Sequence, residues 1–239
     1  MSDANDILVV STAYTTDESR YKIFRDSCAR HDVPVKSLGI GETYPDMHVL
    51  EAVANFLELR DERHIVLTDA YDALVNRWYE RELSRLIDSA PHCMMSVEPQ
   101  VWPVGQWHKA YAQLDGRYRW KAICGGQWCG RREQMIEVLK AIYAGWKAGG
   151  ATAGGTSQEI LHKMYAGLLL GGRWPFTLDL SCTIFQSMIG PEAKLIDDHV
   201  GCAYNTVTHS TPMFLHFNGQ GQDLSEYWRW SSLLGYERQ

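Results

Sequence analysis

Short apolar runs alternate with amphipathic segments along most of this chain, and that alternation limits the available folds more than any other feature. Ile7–Ser11 reads as a buried strand and Tyr21–Arg30 as a helix. A second strand is expected at Val33–Leu38, closing on Gly39 and Gly41. Val49, Leu50, Val53, Phe56 and Leu57 recur at helical spacing, which predicts an amphipathic helix over Asp46–Arg60. Strand Ile65–Thr68, a helix over Glu80–Ser89 and strand Cys93–Val97 follow. Such alternation predicts an α/β fold, with a mostly parallel central sheet flanked by helices. Downstream, Met135, Ile136, Leu139, Ile142, Tyr143 and Trp146 mark another helix, and Ser157–Leu169 a further one. Strands are expected near Leu178–Phe185 and at Met213–Phe217. Pro99–Lys121 is aromatic and irregular, and Gly149–Gly155 reads as a mobile loop beside a site.

With 239 residues, 45% of them hydrophobic and 22% charged, the chain suits one domain over residues 1–239 with a substantial core. A net charge of −6 argues against a dedicated polyanion-binding surface. The six cysteines form no CxxC pair and no zinc-type cluster, so buried free thiols are expected. Met1–Asp6 is polar and acidic and lacks the pattern of a signal peptide. No apolar run reaches transmembrane length. The expectation is a cytoplasmic protein (host cytoplasm if the gene is viral) with no membrane partner, and nothing in the sequence sets an oligomeric state.

Ile65–Asp72 carries the chemistry. Four strand-forming residues run into two carboxylates, Asp69 and Asp72, with an aromatic, Tyr71, between them. The carboxyl ends of parallel strands are where such folds bind ligands, and Mg²⁺ or Mn²⁺ prefers oxygen donors. A strand end with two solvated acids accounts for the motif equally well. Far downstream, the apolar run Met213–Phe217 is interrupted by His216 and ends in Asn218-Gly219. A lone histidine on an apolar strand is most often a satisfied core residue. Beside Asp69 and Asp72 it would complete a mixed nitrogen–oxygen site suited to Mn²⁺.

In order along the chain, Ser11-Thr12-Ala13, Ser37–Glu42, Thr68–Asp72, Ser96-Val97-Glu98, Gly125–Gly130, Leu178-Asp179 with Ile184-Phe185-Gln186, and Leu215–Gly219 resemble the glycosyltransferase domain of the procollagen lysyl hydroxylases and its viral and microbial relatives. The resemblance implies a GT-A (Rossmann-like) fold and transfer of a hexose from a UDP-sugar. It implies Asp69, Asp72 and His216 as ligands of Mn²⁺ (or Mg²⁺) and Tyr71 as a stacking partner for uracil. Thr12, Tyr44, Asn218 and Gly219 would lie along the nucleotide and diphosphate, with Gly125 and Gly126 in a glycine-rich donor loop. The chain also departs from the pattern. A short Tyr44–His48 stretch stands where the family has a lysine-bearing glycine loop, and Gln127 replaces a small residue. Thr156-Ser157 stands where the family has acid before Gln158. Gln158, Glu159 and Asp179 are therefore the candidates for the catalytic position.

The resemblance implies a hydroxyl as acceptor. Arg117–Lys121 with Arg131-Arg132 forms a basic-aromatic stretch. Such a stretch can hold an extruded base, which admits hydroxymethylated pyrimidine DNA as acceptor. The same stretch reads more simply as a solvated edge, and a protein or glycan hydroxyl is the alternative. Most of the nine tryptophans are expected to pack. A haloacid-dehalogenase-type phosphatase would need its aspartates two apart, whereas these are three apart. A nucleotide-sugar-binding protein without catalysis is the competing class.

Overall fold

The computed structural model of the protein describes residues 6–14, 18–40, 42, 46–102, 107–114, 116–150, 157–169, 176–218 and 225–236. Its first half runs β1 (Ile7–Thr12), α1 (Glu18–Arg30), β2 (Val35–Leu38), α2 (Asp46–Glu58), β3 (His64–Asp69), β4 (Ala73–Val75), α3 (Glu80–Ser89) and β5 (Cys93–Glu98). A short α4 (His108–Tyr111), β6 (Ala122–Arg131), α5 (Arg132–Gly145) and α6 (Ser157–Leu169) come next. The chain ends with β7 (Phe176–Leu178), β8 (Phe185–Ser187), β9 (Ile196–His199), β10 (Cys202–Asn205), β11 (Phe214–His216) and α7 (Ser225–Leu233).

A six-stranded sheet in the order β2-β1-β3-β6-β5-β7 forms the centre. Its strands are apolar on both faces because both faces are covered. Leu8, Val10, Ile65 and Leu67 point to the side packed by Leu50, Val53 and Leu57 of α2, Met135 and Leu139 of α5, and Leu161 of α6. Ile7, Val9 and Val66, the alternate residues, point to the side packed by Phe24 of α1 and Leu83 and Ile87 of α3. Helix α3 shows the local logic. Leu83 and Ile87 fall one turn apart on the buried face, while Glu80 and Glu82 place negative charge at its positive N-terminal end.

The expected parallel pairing holds for β1 with β2 and β3 and for β5 with β7, while β6 runs antiparallel between β3 and β5. Gly125 and Gly126 therefore lie inside a ten-residue strand rather than in a loop. Ile123, Trp128 and Cys129, all fully buried, commit the segment to the sheet on either side of the glycines. The expected strand at Leu178–Phe185 divides into β7 and β8, which belong to different sheets. The expected loop at Gly149–Gly155 opens on a π-helical turn, Trp146–Gly150, and its residues 151–155 lie outside the described residues. All six cysteines are free thiols; five are buried as expected, and Cys202 is only partly so. Among the described residues no helix is long and apolar enough to cross a membrane.

A second sheet, in the order β4-β11-β8, adjoins the first. The chain passes between them three times, once through α3 from β4 to β5 and twice through short turns. One is the turn Ala70–Asp72, which leaves β3 and enters β4 directly. The other leads from β7 to β8 and is organised by Asp179. Its carboxylate accepts backbone N–H groups from Thr183 at 3.0 Å, Ile184 at 2.8 Å and Phe185 at 2.9 Å. Those bonds hold a turn in which Cys182 adopts φ 48°, a left-handed conformation that disfavours any residue with a Cβ. We expect Asp179→Ala to orphan three N–H groups and destabilise the protein by about 3 kcal/mol, read from the midpoint of urea unfolding.

Candidate active site

The turn between the sheets builds the site. Asp69 is the last residue of β3, and Asp72 immediately precedes β4. β11 pairs antiparallel with β4, with His216 opposite Ala73. The Phe217 N–H then donates to the Asp72 carbonyl at 2.7 Å, so the two ends of the ladder are pinned together. The result is His216 Nε2 at 3.3 Å from Asp72 Oδ1 and 3.5 Å from Asp69 Oδ2. Thr12, paired with Asp69 across the sheet, donates from Oγ1 to Asp69 Oδ1 at 3.1 Å and fixes that carboxylate.

Three observations fit this trio to a divalent cation. One donor atom from each residue lies within 4.8 Å of the others. His216 Nε2 and Asp72 Oδ1 are buried and make no hydrogen bond. A Cβ on Gly126 would come within 2.3 Å of His216 Cε1 and 2.7 Å of Asp69 Oδ2, so the missing side chain is what makes room. Burial alone would lower the His216 pKa, but Asp72 beside it holds the imidazole well above its ordinary value. Burial would likewise raise Asp72, yet the His216 charge leaves its carboxyl below the usual range. In the metal-free protein the imidazolium thus balances the carboxylates.

A buried polar chain extends from this centre. Asn218 Nδ2 donates to Glu98 Oε2 at 2.6 Å, and Asn218 Oδ1 accepts from Ser187 Oγ at 2.8 Å. Gln158 Nε2 donates to the other Glu98 oxygen at 3.1 Å, and Gln158 Oε1 accepts the Gly125 N–H at 2.5 Å. Gln158 also contacts His162, which lies between the Tyr111 hydroxyl at 2.6 Å and the Trp102 carbonyl at 2.8 Å. Burial pushes the Glu98 carboxyl up to about 8, against the His216 charge and the Asn218 hydrogen bond.

The structure therefore gathers Thr12, Asp69, Asp72, Gly125, Gly126, Gln158, His216 and Asn218 at one edge of the sheet. Other expected residues are engaged elsewhere. Tyr71 is buried, its ring centroid 6.3 Å from that of Tyr21 and its hydroxyl bound to the Ala13 carbonyl at 2.9 Å. Glu159 pairs with Lys163 at 2.9 Å on α6. Asp179 spends both oxygens on its turn, which makes it an anchor rather than a free carboxylate. Gln127 donates to Thr68 Oγ1 at 3.1 Å within the sheet. Tyr44, Gly219 and Thr156 lie outside the described residues.

Sequence reasoning gave no role to Glu98, Cys124 or Ser187. Glu98 offered one signal, an acid closing a strand parallel to β3 at the ligand-binding edge. The basic-aromatic stretch does not survive folding as one patch. Trp120 is fully buried, and Arg131 sits opposite His64 at the far end of β3, bound to Asp88.

A profile of the PLOD GT domain matches residues 3–228. This chain belongs to the PLOD GT domain family. It is 23% identical over 246 residues to the procollagen-lysine,2-oxoglutarate 5-dioxygenase of Drosophila melanogaster, spanning 95% of this chain and 32% of that protein. It is 21% identical over 213 residues to the uncharacterized protein R699 of Acanthamoeba polyphaga mimivirus, spanning 84% of this chain and 43% of that one. The family member described here thus corresponds to less than half the length of either relative. Its fold is shared with a glycosyltransferase involved in the glycosylation of the major capsid of PBCV-1. The TM-score is 0.52 at 14% identity, covering 90% of this chain and 95% of the other. The GT-A type α/β fold and the glycosyltransferase class expected from the sequence both stand.

Two outcomes follow from the geometry. Gly126→Ala should push His216 and Asp69 apart and abolish metal-dependent activity while the fold remains, checked by Mn²⁺ titration alongside circular dichroism. Glu98 gives the metal-free protein a pH dependence. Between its ordinary value of 4.5 and about 8, folded Glu98 keeps a proton that the unfolded chain has released. Its stabilising contribution is therefore complete below the lower value and is lost as pH rises through the upper one. The urea midpoint of wild type in chelator should fall over that window, and Glu98→Gln should remove that part of the fall.

Proposed function

We propose that this chain, acting over residues 1–239 as one catalytic unit, transfers a hexose from a UDP-sugar to a hydroxyl group with the help of Mn²⁺ or Mg²⁺. The single observation that carries the reading is the Asp69–Asp72–His216 trio, with two buried donor atoms that lack hydrogen bonds. Asp69, Asp72 and His216 would hold the cation. When bound, it supplies a Lewis acid for the charge that grows on the departing UDP diphosphate.

The chain's own groups do the rest of the positioning. Thr12 fixes one oxygen of Asp69, so that the other faces His216. Gly126 leaves open the space above the strand. Glu98 ties Asn218 on one side to Gln158 on the other, and Gln158 in turn holds the Gly125 peptide. Asn218 is thereby tied, through Glu98 and Gln158, to the strand that carries the glycines. Such prepaid ordering is the orientational part of catalysis. As the bond from the sugar's anomeric carbon to phosphate breaks, a bond to the acceptor oxygen forms, the acceptor's hydroxyl proton is released to the departing diphosphate or to solvent, and UDP leaves.

For the acceptor, a protein or glycan hydroxyl is the better-supported reading. DNA would need a continuous cationic surface, but the basic stretch is split across the sheet and the net charge is −6. The fly relative is named for procollagen lysine, and the PBCV-1 enzyme for the glycosylation of a capsid protein. These names favour a protein acceptor.

The deciding experiment measures UDP release and product mass from a panel of UDP-sugars, with Mn²⁺ or chelator, against hydroxylysine peptide, simple glycans and hydroxymethylated DNA. We expect metal-dependent release, and a loss of at least about a hundredfold in Asp72→Ala. Unchanged turnover in that variant would sink the metal assignment. Binding of a UDP-sugar with no release under any condition would favour the non-catalytic class.

A further inference from the structure

We propose that Cys124 is the positioning residue of His216, its sulfur accepting the Nδ1 proton so that Nε2 faces Asp69 and Asp72 with a bare lone pair. This rests on the reading that the trio holds a cation. A neutral imidazole carries one ring proton, and a nitrogen that binds a cation cannot keep it. The proton then belongs on Nδ1, which needs an acceptor. His216 is 2% exposed, so water does not serve. The atom at Nδ1 is Cys124 Sγ, 3.4 Å away.

Cys124 is built into its place. It is 3% exposed and lies in β6 beside the glycine pair. Its carbonyl accepts Ser96 Oγ at 3.0 Å, and the next peptide is held by Gln158 at 2.5 Å. These bonds fix the stretch of backbone from which the thiol reaches the ring. Three successive residues of β6 divide the work. Cys124 orients the histidine, Gly125 docks Gln158, and Gly126 clears the space that the histidine and Asp69 share.

The choice of sulfur matters. Partners behind a metal-binding histidine are usually carboxylates, carbonyls or water, which raise the basicity of the ring. A thiol sulfur is a weak acceptor, so it fixes the tautomer while adding little basicity. Orientation is kept and the grip on the ion is relaxed. A transferase that must shed UDP after every turnover benefits from such a grip.

The test is Mn²⁺ affinity of the full chain without nucleotide, read from the electron paramagnetic resonance signal of free Mn²⁺. Wild type, Cys124→Ala, Cys124→Ser and Asp72→Ala are compared, with circular dichroism as the check on folding. Cys124→Ala should weaken binding about tenfold, and Cys124→Ser, which restores an acceptor, should recover most of the loss. Wild-type affinity in Cys124→Ala would overturn the proposal. So would an equal loss in Ala and Ser, which would assign the thiol to packing. Wild type binding no better than Asp72→Ala would instead overturn the trio itself. Should the variants fail to fold, ¹⁵N-histidine NMR of Mg²⁺-loaded wild type decides. A hydrogen-bonded proton on His216 Nδ1 supports the assignment, and a proton on Nε2 refutes it.

Discussion

One antiparallel pairing holds the site together, that of β11 against β4. It brings the end of the chain to the turn that carries the two acids, and the Phe217–Asp72 backbone bond seals the contact. Without it, Asp69 and Asp72 would be two carboxylates in an open turn and His216 would have no reason to be buried. With it, three groups that would each prefer water are gathered in one partly dry space. Such a gathering is costly unless charge is balanced. The structure balances it with the imidazolium, and a divalent cation can take over the same task. Long-range β pairing is thereby turned into a binding site, and the glycine in β6 leaves the space that pairing needs.

The architecture was legible because apolar periodicity reports burial directly. Strands buried on both faces and helices buried on one stripe gave the alternation, and the ends of α6 and α3 fell where that pattern stopped. Strand direction was less legible. β6 is largely buried like β3 and β5, to both of which it runs antiparallel, and a strand covered on both sides carries no mark of its direction. The resemblance placed Gly125-Gly126 in a glycine-rich loop, and the residues themselves do not correct it. Glycine pairs usually mark turns, and a glycine required by a neighbour's side chain cannot be told from one required by a backbone angle.

The site was legible in part. Asp69, Asp72 and His216 stood out as polar residues at the ends of apolar runs, which is a local signal. Glu98, Cys124 and Ser187 were not legible, because their meaning comes from what faces them. A cysteine on a buried strand reads as packing until the ring nitrogen opposite is seen. Asp179 shows how a partner changes the reading of an acid. Its acid suggested chemistry, but three backbone N–H groups claim it. Thr12 was expected near the nucleotide, and its hydroxyl is found orienting Asp69.

The Asp179 turn has a consequence for motion. It joins β7 of one sheet to β8 of the other, and the Ala70–Asp72 turn joins β3 to β4. Sliding one sheet past the other would tear the hydrogen bonds in the first turn and pull the acids from the histidine in the second. The two turns therefore couple the sheets, which are expected to move together as one frame. Any opening that admits a ligand to the site is expected in the segments bordering the frame, at loops and side chains, and not in a hinge through its middle.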